Sequence, residues 1–167
     1  MANNVRPPPH GVVVAHLLLF FVFCSACKGA GGEYDENRVA LASGIEIVPV
    51  RMKSGHPTNN ESIEAALAEP EGFYKRALQL NVEAIRGTPQ LRFEVLGFTD
   101  RIECRENCQE LSARRAKMVY DWLLAAGVSS SSLTTPVGHG SNMPIGDNET
   151  DEGRSRNRRV EINPTVD

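Results

Sequence analysis

Leu91-Arg92-Phe93-Glu94-Val95-Leu96-Gly97-Phe98-Thr99-Asp100 is the stretch that decides the fold of this 167-residue chain. From Leu91 to Val95 apolar and charged residues alternate, the pattern of a strand with one face in a core and one in water. Gly97 to Asp100 end that strand and leave an acid at its carboxyl end. Downstream, residues 107–126 carry helical spacing. Asn107 with Glu110 three places on predicts a capping box, and Gly127 closes the helix. Upstream, Ile63 and Leu67, then Phe73, Ala77, Leu78, Leu80, Val82 and Ile85, predict helices over 61–69 and 72–86, broken at Pro70 and Gly72. Ile45 to Met52 reads as a strand, with Pro49 placing it at a sheet edge. Leu133–Val137 predicts a short strand, 150–156 a short helix and 160–162 a last strand, with Pro164 ending the fold. Strands and helices therefore alternate, which predicts an α/β (α+β) sandwich of one sheet covered by helices.

Composition narrows the function classes. With 41% hydrophobic residues the chain can build an ordered core. A net charge of −3 argues against a broadly basic nucleic-acid surface. Aromatic residues are only 6% of the chain, too few for a stacking platform for single strands. No Ser/His/Asp set, paired carboxylates or phosphate loop stands out, so the expectation is a binding protein without a cofactor, not an enzyme.

One residue in the 107–126 helix is out of place. At about 100° per residue, with Leu111 at zero, Met118, Trp122, Ala126, Val119 and Leu123 define an apolar stripe. Arg115 falls at about 40°, inside it. A guanidinium there needs an anion, because a buried unpaired charge costs several kcal/mol, on the order of 3–5. The wheel leaves two partners open: an internal salt bridge or loop carbonyls, or a ligand carboxylate held bidentately. Asp100, at a strand end, would complement it by taking an ammonium.

The amino terminus reads as an address. Arg6, an apolar run from Val12 to Phe23 and small residues after it form the secretory pattern. Ser25-Ala26-Cys27 resembles the lipobox of bacterial lipoproteins, with Cys24 where Leu, Val or Ile is usual. Residues 1–26 are thus expected to be a lipoprotein signal peptide and Cys27 the lipidated residue; a simple cleaved signal or an uncleaved anchor is the alternative. Lys28 at the second mature position resembles an outer-membrane destination. Residues 27–43, Gly-rich at Gly29–Gly32, read as a tether.

Phe93 to Asp100, Leu111-Ser-Ala-Arg-Arg-Ala116, Gly138, Pro144 and Gly153 to Ile162 closely resemble the OmpA-like C-terminal domain, also found in peptidoglycan-associated lipoproteins. The resemblance implies a βαβαβ-type domain over 44–163 with a mixed four-stranded sheet, followed by a tail at 164–167. It implies non-covalent binding of peptidoglycan through the meso-diaminopimelate of the stem peptide. In that scheme Asp100 accepts from the ligand ammonium, Arg115 clamps a carboxylate, Arg158 helps to complete the site and Thr99 flanks it. Asp100 and Arg115 are expected to touch when no ligand is bound. The sequence departs from the family at Phe98, where His is usual, at Glu103, where Gly is usual, and at Cys108, where Asn is usual.

Cys104 and Cys108 lie in that altered loop. In an oxidising periplasm a C-x3-C pair can close a disulfide, here in place of the glycine turn and the missing asparagine; free thiols are the alternative. No metal site is expected. The reading as a whole is an outer-membrane lipoprotein with a periplasmic domain that holds the cell wall. The alternative is an envelope assembly protein whose OmpA-like domain binds another protein and has lost wall binding.

Overall fold

The computed structural model describes residues 39–40, 46–104 and 107–165. The expected signal peptide and Cys27 lie outside the described residues, as does the tether except for Val39–Ala40. Those two form β1, paired antiparallel with β2 (Glu46–Ile47).

The main sheet contains β3 (Val50–Arg51), β4 (Phe93–Gly97), β5 (Val137–Gly138) and β6 (Arg159–Pro164). Its order is β3-β6-β4-β5, with β4 parallel to β5 and the other pairs antiparallel. This is the expected mixed four-stranded sheet, and β3 lies at an edge as Pro49 predicted. Pro49 splits the first expected strand in two. The buried Asn81 bonds both the N–H and the C=O of Val48, at 2.9 Å each, so the interrupted backbone is not left unsatisfied.

Helix α1 (Ile63–Ala66) is capped by Ser62, and α2 (Glu71–Arg86) begins after Pro70, the expected break. Helix α3 (Cys108–Ala125) and α4 (Asp151–Asn157) complete the order. The core joins Val50, Met52, Leu78, Ile85, Phe93, Val95, Val119, Leu123, Val160 and Ile162. Phe93 and Val95, the inward half of the alternating stretch, are fully buried. Asn107 does precede α3, but its side chain makes no capping bond, and Glu110 pairs with Arg114 instead. The expected strand at 133–137 shrinks to Val137–Gly138, with Leu133 bridging to Phe93 alone. The carboxyl-terminal strand is longer than expected: Pro164 lies within β6 opposite Phe93, and the Thr165 N–H bonds Arg92.

The buried face of α3 is also rotated from the expected one. Ser112, Arg115, Ala116, Val119 and Leu123 are buried, whereas Met118 and Trp122 are only half-buried. Backbone approach explains the rotation. A Cβ on Gly97 would lie 2.0 Å from the Ser112 carbonyl oxygen, and one on Gly138 would lie 2.4 Å from the Ala113 nitrogen. The small face of α3 can therefore rest directly on β4 and β5, which carries Arg115 beneath the end of β4. Gly97→Ala should destabilise the protein by about 1–3 kcal/mol or more, since helix and strand backbones must separate. Chemical denaturation read by circular dichroism checks this; Gly72→Ala, in open space, should cost no stability.

Candidate functional site

The site assembles at the carboxyl end of β4. The Phe98 N–H bonds Arg159 O at 2.9 Å and the Thr99 N–H bonds Gly140 O at 3.0 Å, so these two residues are held between β6 and the loop after β5. The Arg159 guanidinium lies 3.9 Å from the centroid of the Phe98 ring, and the His139 ring stacks with that ring. This cation–π contact gives the apolar Phe98 a role at a polar site. Thr99 is buried beside it.

Asp100 is buried and starts a turn over 101–104. Its Oδ1 accepts from the N–H groups of Ile102 and Glu103 at 2.7 and 2.8 Å. Glu103 Oε1 accepts in return from the Asp100 N–H at 3.1 Å. This reciprocal D-x-x-E arrangement is a capping box, found here and not at Asn107. Asp100 Oδ2 accepts from Arg158 Nη1 at 2.9 Å. Arg158 ends α4, mostly buried, and its Nε has no hydrogen-bond partner. Asn157 beside it is fully buried and holds the loop at 145–148 through the N–H groups of Ile145 and Gly146. That loop in turn accepts the Arg101 N–H on Asn148.

Arg115 is completely buried, as its place on the helix wheel required. A guanidinium has five N–H groups. Here Nε donates to His56 O at 2.8 Å, Nη1 to Phe98 O at 2.9 Å and to Glu103 Oε1 at 2.6 Å. Nη2 donates to Lys53 O and Glu103 Oε2, both at 2.9 Å. All five donors are thus used inside the protein. The expected contact between Asp100 and Arg115 does not form: Arg158 takes Asp100, and Glu103 takes Arg115 in a two-pronged ion pair with the acid side chain 1% exposed.

The segment that supplies Lys53 O and His56 O is itself braced. His56 Nδ1 lies 2.7 Å from Glu61 Oε1. Burial raises the Glu61 pKa, but hydrogen bonds from His56 and the Thr58 N–H outweigh it and leave the carboxyl below its ordinary value. On the other side, Cys104 and Cys108 form the expected disulfide, with Cα atoms 4.8 Å apart. It ties the 101–104 turn to the first residue of α3, about two helical turns before Arg115. Sequence reasoning brought Asp100, Arg115, Arg158 and Thr99 to one place and missed Glu103. The available signal was the spacing of Asp100 and Glu103, which is that of a capping box.

A model of the OmpA family matches residues 66–158. This chain belongs to the OmpA family. The peptidoglycan-associated lipoprotein of Pseudomonas aeruginosa is 32% identical over 161 residues, covering 89% of this chain and 94% of that protein. The peptidoglycan-binding protein ArfA of Mycobacterium tuberculosis is 44% identical over 80 residues, which is 48% of this chain and 24% of ArfA. The chain therefore spans about a quarter of that relative's length. The carboxyl-terminal domain of MotB from Helicobacter pylori superposes with a TM-score of 0.57 at 29% identity, over 72% of this chain and 86% of that structure. The mixed sheet with its helices is the family's fold.

Glu103→Ala should destabilise this OmpA-family domain by about 3–5 kcal/mol, because it leaves a buried guanidinium unpaired. Denaturation curves read this directly, with Glu149→Ala, which removes the exposed partner of Arg101, as a control expected to change little. Tryptic peptides Ile102–Arg105 and Glu106–Arg114 should be recovered as one linked species without reductant and separate after reduction, as mass spectrometry would show.

Proposed function

We propose that this chain is an outer-membrane lipoprotein whose OmpA-family domain, residues 44–163, binds peptidoglycan non-covalently in the periplasm. The ligand group is the meso-diaminopimelate of the stem peptide. Residues 1–26 act as the signal peptide, Cys27 carries the lipid and 27–43 form the tether. The observation that carries this reading is the convergence of buried Asp100 and Arg115 with Arg158 at one end of the sheet, in a chain of this family. A relative named for peptidoglycan association and another named for peptidoglycan binding support it.

The chemistry suits a zwitterionic amino-acid head. Asp100 takes the ammonium, Arg115 takes a carboxylate in place of Glu103, Arg158 helps to complete the site and Thr99 flanks it. Charge-assisted hydrogen bonds contribute roughly 1.5–3 kcal/mol each, so a few of them give modest affinity. A wall with many identical stem peptides, beside a membrane that confines the protein, raises the effective concentration and holds it. No bond is made or broken, and no cofactor takes part.

A second reading has one specific observation in its favour. Glu103 already fills the Arg115 fork, as expected of a domain that has given up wall binding and engages another envelope protein. Co-sedimentation of the full chain in detergent with diaminopimelate-type sacculi separates the two. Under the first reading wild type pellets, whereas Asp100→Asn and Arg158→Ala, folded by circular dichroism, stay in the supernatant. Folded wild type that stays in the supernatant supports the second, and variants that pellet like wild type overturn the site assignment.

A further inference from the structure

We propose that Glu103 is an internal ligand: its carboxylate fills a carboxylate receptor built by the Arg115 fork and the N–H groups of Gly55 and Asp100, and a ligand carboxylate binds by displacing it. The part of this that concerns peptidoglycan rests on the wall-binding reading above. The part that concerns the receptor does not.

The receptor is assembled from three separate parts of the chain. Helix α3 supplies the guanidinium, at 2.6 and 2.9 Å from the two carboxylate oxygens. The segment after β3 supplies the Gly55 N–H, 2.8 Å from Oε2. The end of β4 supplies the Asp100 N–H, 3.1 Å from Oε1. Each oxygen thus accepts one guanidinium and one backbone donor. A planar fork flanked by backbone donors matches carboxylate geometry, whichever chain the carboxylate belongs to. Gly55 has a φ of +73°, a left-handed conformation that suits glycine and turns its N–H toward the acid.

Glu103 is supplied from a turn, not from a long rigid element, and that turn is fastened at both ends. Asp100 caps it at one side, and the Cys104–Cys108 disulfide joins it to α3 on the other. The acid therefore has a high local concentration at the receptor. On the neighbouring carboxylate, Arg158 occupies Asp100 Oδ2 in the same way. The chain holds an acid and a base of its own where a zwitterionic head would place its carboxylate and ammonium.

The consequence is quantitative. If Glu103 fills the receptor in about 99 molecules of 100, the apparent affinity for a competing carboxylate falls about 100-fold. Removing or weakening the internal carboxylate should recover much of that factor. Glu103→Gln keeps the side-chain size and its acceptor but loses the charge, and Glu103→Ala opens a carboxylate-sized space.

The test has two arms, both on the full chain in detergent. In the first, sodium acetate is compared with sodium chloride at equal ionic strength in thermal unfolding. Acetate should raise the Tm of Glu103→Ala by several degrees and leave wild type unchanged, since a ligand stabilises only a form with a vacant site. In the second, calorimetry measures binding of a soluble muropeptide ending in meso-diaminopimelate. Glu103→Gln, and Glu103→Ala where it folds, should bind at least about tenfold more tightly than wild type. Variants that bind the muropeptide no better than a wild type that does bind overturn the internal-ligand proposal and leave the wall-binding reading standing. Acetate stabilisation of Glu103→Ala with no muropeptide bound by any form supports the receptor and overturns the wall-binding reading. Absence of both acetate stabilisation and a gain in muropeptide binding overturns the proposal.

Discussion

The ion pair between Arg115 and Glu103 is the contact on which the functional end of the molecule depends. A guanidinium with no exposure to water has to satisfy five donors at once, and only a tertiary arrangement supplies five acceptors. The three carbonyls it takes come from Lys53, His56 and Phe98, and the two carboxylate oxygens from Glu103. One side chain on α3 therefore joins the segment after β3, the end of β4 and the following turn. Each of those segments has other ties, to β6, to the loop after β5 or through the disulfide, but the guanidinium is the group that all three share. An ion pair so buried owes its value to geometry, because desolvation offsets much of the Coulombic gain.

The arginine can reach that position because two backbones touch. Gly97 and Gly138 remove the Cβ atoms that would hold α3 away from the sheet, and Ser112 and Ala116 present the small face of the helix to them. Ser112 also uses its hydroxyl, accepting the Gly140 N–H at 2.8 Å. The glycines, the serine and the arginine thus form one device: close packing sets the height of the helix, and the helix sets the height of the guanidinium. It also explains why the half-buried Trp122 and Met118 lie at the margin of the buried face, where the larger apolar side chains were expected at its centre.

The departures from the pattern that the sequence resembles can be understood together. Phe98, expected to be polar, meets the Arg159 guanidinium and the His139 ring. Glu103, expected to be glycine, takes the arginine. Cys108, expected to be asparagine, closes onto Cys104. All three changes fall in one connected stretch, from the end of β4 to the start of α3. The turn there is held by covalent and ionic links that belong to this chain.

The alternation at Leu91–Val95, the helical spacing over 107–126 and the breakers at Pro49, Pro70 and Gly127 sufficed to predict the order of strands and helices. These are local properties, set by the two periods of backbone geometry and by residues that interrupt them. The wheel also showed that Arg115 lay on the buried face and needed a partner. Which partner it has, and which acid takes Arg158, depended on how loops distant in sequence close over the sheet end. Lys53 and His56 approach Arg115 from some sixty residues away, through backbone carbonyls that every residue carries and that no sequence pattern marks. Periodicity alone determined the layers of this protein; the pairing of its buried charges was decided only by the packing of those layers.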